Sequence, residues 1–261
     1  SQPLPPGYRA TANSCRQMMR IPRVYTNAQL EADSLLSLSA EVSHYLCHVL
    51  RLVVAGAVHL FNGRDGEFAG EIIQIRKHEV SVRLLRQIRS PGKSALVINL
   101  GLGLSRGDRM DFAIQKSTEL GVTQLTPIYT EHGEVRLTPA RLQNKLRHWH
   151  KIAVSASEQS GRIDIPEVCM PASMADWREN NGAGLNLLLE PGGQEQFPER
   201  IGKSASINLL IGPEAGFSEA EINWGRQRNF AIVGMGARIL RTETAPIAAL
   251  SILQSLYGDM R

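Results

Sequence analysis

Two short glycine-bearing segments near the carboxyl end hold most of the chemistry this sequence can offer: IGPEAGFSEAE at 211–221 and GMGARILRTETAP at 234–246. Each leaves an apolar run and enters a stretch with helix-start signals. Glycine lets backbone approach a ligand closely or adopt positive φ, so exposed N–H and C=O groups could read the edge of a heterocycle without charged side chains. The second segment also sets Arg238, Arg241 and Glu243 within six residues. If the preceding runs are parallel strands, this group sits at their C-terminal edge, where α/β proteins build ligand sites. Either segment alone could equally be a generic loop.

Other constellations carry less. LGLGLSRGD at 100–108 has Gly101 and Gly103 but Arg106 where G-x-G-x-x-G needs its third glycine, so as a dinucleotide fingerprint it fails. A strand end running into a helix is the plainer reading, with Arg106 and Arg109 flanking free N–H groups that could hold an anion. His44 and His48 share a helix face at i,i+4, but no third or fourth ligand accompanies them and no metal is expected. The stretch 136–162 holds six basic residues, Arg162 among them, against one acid, Glu158, with Trp149 interleaved. Phosphate contact and a merely solvated helix face fit it equally well.

The elements that must position these residues divide the chain. Residues 1–18 are rich in Pro, Ser and Ala, lack periodicity and contain no acid. They read as an expression-derived or unstructured leader before a natural start at Met19; the proline content and lack of amphipathicity argue against a transit peptide. Residues 19–90 read as a small β-rich domain. A helix is expected over 39–52 with Val42, Leu46, Val49 and Leu50 on one face, then strands at 58–61, 67–76 and 79–86, and a turn at 62–66. Pro91-Gly92 marks a boundary. Residues 91–261 alternate continuous apolar runs with helical stretches, the pattern of a parallel sheet covered on both faces. Helices are expected at 107–120, ended by Gly121, after Ser218 with its Glu221 capping partner, and from Thr244 to Gly258.

Composition excludes several classes. The hydrophobic fraction of 43% suits a globular core, and no apolar run reaches the ~18 residues of a membrane span. Three scattered cysteines, Cys15, Cys47 and Cys169, argue against a disulfide framework and fit a cytoplasmic protein. Net charge is +4, and residues 91–261 balance their charges, so only local clustering could mark a nucleic-acid binder.

Taken together, MRIPR at 19–23, HVLR at 48–51, QKSTELGV at 115–122, SEQSGR at 157–162, IGPEAGFS at 211–218 and LRTETAP at 240–246 closely resemble the RsmE family of 16S rRNA uridine-N3 methyltransferases, in the SPOUT superfamily. Their order and spacing match the family's across residues 19–261. The resemblance implies an N-terminal PUA-like β-barrel that meets RNA, over 19–90, and a C-terminal α/β domain with a deep trefoil knot. It implies S-adenosyl-L-methionine as cofactor, a homodimer with the site near the subunit interface, and a target uridine in the decoding region of the small ribosomal subunit. The cofactor site would be built from Leu189 and Glu190, from Ile211, Gly212, Pro213, Glu214 and Gly216, and from Met235, Gly236, Ile239, Leu240, Arg241, Thr242, Thr244 and Ala245. The family's loop reads GPEGG where this chain has GPEAG. If Ala215 needs positive φ, the exchange costs on the order of 1 kcal/mol.

Uridine N3 is a nucleophile only once deprotonated, so a cation near O2 or O4 would help. Arg241 and Arg238 are the expected cations. Glu243 could orient an arginine, accept the proton, or simply complement a helix dipole. Arg20, Arg23, Arg51, Arg106, Arg109 and Arg162 are the expected RNA contacts. Two rivals remain at this point: a SPOUT enzyme acting on a ribose 2′-oxygen, and a cofactor-free RNA-binding assembly module.

Overall fold

The computed structural model describes residues 21–77, 79–92, 96–133, 135–198 and 206–260. The leader and Arg20 lie outside them. Alternation decides the first sheet. Strands β1 (Arg23–Tyr25), β2 (Leu35–Ser37), β3 (Ala57–Phe61), β4 (Glu67–Arg76) and β5 (Glu79–Arg89) pair in the order β1-β3-β4-β5-β2. Val24, Val58, Leu60, Phe68, Ile72, Val80, Val82 and Leu84 face one buried core. The turn at 62–66 is fixed by Asn62, whose Oδ1 accepts from the N–H groups of Arg64 and Asp65.

The expected helix over 39–52 is shorter and of two kinds. Ser39 caps α1 (Ala40–His44), which continues as a π-helix over Tyr45–Val49. Leu46 is fully buried, but Val49 is 60% exposed and is not on the buried face. The cause is the i→i−5 bond from Leu50 N–H to Tyr45 C=O, which inserts a residue into the turn and rotates the residues after it.

The second sheet is parallel throughout. It holds β6 (Val97–Gly103), β7 (Gln124–Tyr129), β8 (Glu167–Val168), β10 (Leu185–Leu189), β11 (Ser206–Ile211) and β12 (Ala231–Val233) in the order β12-β10-β11-β6-β7-β8, with β9 (Ala172–Ser173) also pairing β7. Helices α2 (Asp108–Glu119), α3 (Pro139–Ser160), α4 (Met174–Asn180), α5 (Glu219–Gln227) and α6 (Thr244–Tyr257) connect or succeed these strands. Alternate residues of one strand enter different cores: Leu187 and Leu209 pack with Met110, Ile114, Leu250 and Leu253, whereas Leu188 and Leu210 pack with Trp177, Phe217 and Phe230. Burial on both faces explains the continuous apolar runs. Across this apolar interior runs a polar line. Asn99 Nδ2 donates to Asn208 Oδ1 at 2.9 Å, and Asn208 Nδ2 donates to Asn186 Oδ1 at 2.9 Å. These residues are level with one another in β6, β11 and β10, so the amide ladder sets their register.

Arg23 joins the two sheets. Its guanidinium holds Glu67 in two bonds, of 2.6 and 3.2 Å, and donates to the carbonyls of Ser157, Glu158 and Arg162 at the end of α3. Glu158 accepts from the Tyr25 N–H, and Arg89 donates to the Gly161 carbonyl. Glu67 is almost wholly buried. Burial pushes its carboxyl up, but hydrogen bonding from Arg23 and the charges of Arg23, Arg89 and His59 outweigh burial and hold it below the usual range.

Two stability measurements check these connections. Asn208→Ala strips both neighbours of a partner, and buried unpaired amides cost roughly 1–3 kcal/mol each; urea unfolding should show a loss of that order. Arg23→Ala should cost about 3 kcal/mol at neutral pH, because it strips a buried carboxylate of its shortest partner and leaves it only Arg89 and His59. Glu67 is held low, so its stabilising contribution is complete above its unfolded value and disappears as pH falls through the folded one. The deficit of the variant should therefore shrink below the usual carboxylate range, and a deficit that grew there would contradict the assignment.

Candidate functional site

Leu189 pairs with Ile211 on one side and Val233 on the other, so β10, β11 and β12 stop level. Three connections leave this edge together: the turn after Glu190, the 212–218 loop into α5, and the 234–243 loop into α6. Each is held from behind. Ser218 and Glu221 form the expected capping box, and Glu221 Oε1 also accepts from the Glu131 N–H at 2.8 Å. Arg241 C=O accepts from the Thr244 and Ala245 N–H groups, starting α6. Gly216 and Gly236 adopt φ of +72° and +78°, the left-handed region where a side chain is strained. Gly103, at the end of β6, meets the 212–213 backbone so closely that a Cβ would collide with Pro213 N. That glycine of the failed dinucleotide fingerprint thus serves packing beneath the loop.

The loops enclose a cavity of about 440 Å³, within the range of small-molecule sites. Every residue expected to bind cofactor lines it except Thr244. Arg238, Arg241 and Glu243 line the same cavity; both arginines are exposed and Glu243 is half-buried. Among the described residues, neither arginine has an ion-pair partner. The buried Oε2 of Glu190 accepts no hydrogen bond, and burial raises its carboxyl above the ordinary value. Sequence reasoning missed Pro191 and Phe217, and placed Arg109 only on RNA, although all three line this cavity. Glycines on both sides of the 212–218 loop were its visible signal; nothing local pointed to Arg109, which arrives from α2.

The expected RNA contacts separate. Arg23 and Arg162 are engaged within the protein. Arg23 is spent on Glu67 and on α3 carbonyls. Arg162 donates to the Thr118 and Val122 carbonyls and pairs with Asp164, its side chain 14% exposed. Their donors are turned into the protein. Arg51 is exposed at φ +55° on the small sheet's side. Arg106 and Arg109 are exposed at the start of α2, and Arg109 Nη1 lies 2.9 Å from Glu214 Oε1. His44 and His48 lie side by side with ring centroids 4.6 Å apart and ring planes tilted by 34°. Among the described residues no group of three or more His, Cys, Asp or Glu is placed to hold a metal. Ala215 is not among the residues at positive φ, so the exchange from glycine carries no backbone strain.

Residues 92–254 match the model of an RNA methyltransferase domain, and residues 38–85 that of an RNA methyltransferase PUA domain. The ribosomal RNA small subunit methyltransferase E of Buchnera aphidicola subsp. Schizaphis graminum is 35% identical over 242 residues, 92% of this chain and 98% of that protein. A putative methyltransferase of Legionella pneumophila, solved with bound cofactor SAM, superposes with a TM-score of 0.86 at 35% identity, covering 92% of this chain and 99% of that one. The ribosomal RNA small subunit methyltransferase E of Neisseria gonorrhoeae, solved bound to S-adenosyl methionine, also gives 0.86, at 32% identity over 93% of this chain and 100% of its own.

Proposed function

The chain belongs to the ribosomal RNA small subunit methyltransferase E family, and on that premise we propose that it methylates N3 of one uridine in 16S rRNA. It is an S-adenosylmethionine-dependent rRNA methyltransferase. The single observation that carries the site assignment is the convergence of three level strand ends on one cavity with two cations at its rim. The residues present fit the cofactor. Glu190 offers a buried acceptor oxygen without a partner, suited to the hydroxyl donors of a ribose. Leu189, Ile211 and Leu240 supply apolar walls for a purine. When bound, the cofactor supplies an activated sulfonium methyl group, so the protein has no need of a metal.

What remains for the chain is to position N3 and favour its deprotonated form. Arg241 and Arg238 stand where they can stabilise negative charge developing on the uracil oxygens. Glu243, beside them, takes the N3 proton. The target base must leave its stack to arrive there, and Arg51, with the rest of the small domain, meets the flanking RNA in the small subunit. The reading includes the knot that the family resemblance implies and a homodimer. Ile239 at the cavity rim is 83% exposed and Leu256 of α6 is also exposed, apolar surface that a second copy would cover. It also includes a cytoplasmic site of action; among the described residues no helix is long and apolar enough to cross a membrane.

Transfer of labelled methyl to small subunits lacking the modification, followed by nucleoside analysis, should yield 3-methyluridine; label on a ribose would overturn the N3 reading. In the same assay Arg241→Ala should lower kcat by about 10²–10³, with S-adenosylhomocysteine affinity nearly unchanged by calorimetry. Full turnover in that variant would remove Arg241 from the chemistry.

A further inference from the structure

A neighbouring cavity, of about 540 Å³, adjoins the cofactor cavity and shares Met235, Gly236, Arg238 and Leu240 with it. Helix α6 lines its floor with Ala248 and Ile252, and the segment after β10 brings Gln196 and Phe197 to it. That segment is pinned on both sides. The Glu195 N–H donates to the Ile232 carbonyl, and the Glu195 carbonyl accepts from the Gly234 N–H. Glu195 Oε1 also accepts from the Ile232 N–H at 2.8 Å. Beyond Phe197, the Pro198 carbonyl accepts from the Tyr257 hydroxyl of α6. The backbone that carries Gln196 and Phe197 is therefore held between β12 and α6.

The lining has an unbalanced chemistry. Arg238 is its cation, and among the described residues no acid lines the cavity. Both Arg238 and Gln196 are exposed, and neither has a hydrogen-bond or ion-pair partner among the described residues. The remaining side chains, from Phe197, Met235, Leu240 and Ile252 among others, are apolar. Apolar walls disfavour a phosphodiester, whose charge would leave water unmatched there. They suit a flat neutral ring, and the free guanidinium and amide suit a ring with two acceptors. Uracil is such a ring, with O2 and O4 flanking N3. Flipped bases are read in this way, by apolar contact with their faces and hydrogen bonds to their edge. A guanidinium only donates, so Arg238 accepts a uracil carbonyl and rejects the amino group that cytosine carries in place of O4.

We infer that this cavity seats the target uracil, with one carbonyl on Arg238 and the other on the Gln196 amide. N3, between the carbonyls, then faces the cofactor cavity where the two spaces meet at Arg238. The inference rests on the methyl-transfer reading of the cofactor cavity, and adds where the acceptor base is held and how uracil is chosen.

Gln196→Trp and Gln196→Ala test it. Position 196 is exposed, is free of positive φ and does not line the cofactor cavity, so both variants keep the fold and the cofactor site. Methyl transfer to small subunits lacking the modification is measured beside calorimetric titration with S-adenosylhomocysteine and the mass of the free enzyme by light scattering. Indole in the cavity displaces the base, and a displacement of about an ångström costs roughly a hundredfold in rate, so kcat/KM in Gln196→Trp should fall by about that factor. Gln196→Ala should lower kcat/KM about fivefold, as loss of one neutral hydrogen bond does. Affinity for S-adenosylhomocysteine, melting temperature and mass should stay at parent values in both. Parent kcat/KM in Gln196→Trp, alongside an active parent enzyme, would overturn the uracil seat alone. A fall accompanied by weaker S-adenosylhomocysteine binding or by a changed mass would also overturn it, assigning the cavity to the cofactor or to a second copy. A parent enzyme that transfers no methyl group would overturn the methyl-transfer reading, and the uracil seat with it.

Discussion

The line of buried asparagines across β6, β11 and β10 is the constraint on which the site depends. Parallel strands buried on both faces have no polar side to fix their alignment, because a slip by two residues exchanges one apolar side chain for another. Asn99, Asn208 and Asn186 remove that freedom: any slip strands an amide in an apolar core. With register fixed, Leu189, Ile211 and Val233 end level, and the loops after them converge on one volume.

Arginines do two opposite jobs in this chain. Arg23 is bound to backbone carbonyls at the end of α3 and Arg162 to those at the end of α2, so together they hold the small sheet and α2 to α3. The guanidinium fork suits this role, since its planar donors satisfy several carbonyls and a carboxylate together. Arg238 and Arg241 lack such partners among the described residues and face the cavity. Arg109 is intermediate, tied by Glu214 to the loop that walls the cavity.

The cavity also separates its polar groups by environment. Glu190 is half-buried, with its Oε2 buried and unpartnered and its carboxyl pushed up by burial. The arginines sit at the rim, in solvent. A buried acceptor suits recognition of neutral donors, whereas exposed cations suit a reaction in which negative charge appears only transiently. One cavity can thus hold a cofactor and act on an acceptor without either group neutralising the other.

Local signals determined much of this by themselves. The alternating strands of the small sheet, the continuous runs of the large one, the Ser218–Glu221 box, Gly121 and the α6 start depend on neighbours within one turn or one pleat, and each is where the sequence puts it. The two glycine loops were legible because glycine's tolerance is a property of the residue itself. Tertiary structure decided the rest. The i→i−5 bond that turns Val49 outward arises where the helix packs on the small sheet, and no spacing rule announces it. Arg23, Arg51 and Arg162 look alike in sequence, each a basic residue closing a short motif. Only long-range packing, which brings Glu67 and the end of α3 to Arg23 and the Thr118 and Val122 carbonyls to Arg162, consumes two of them and leaves Arg51 exposed. A guanidinium's role is set by which acceptors lie within hydrogen-bonding distance, and acceptors from distant segments enter that radius only when the chain is folded.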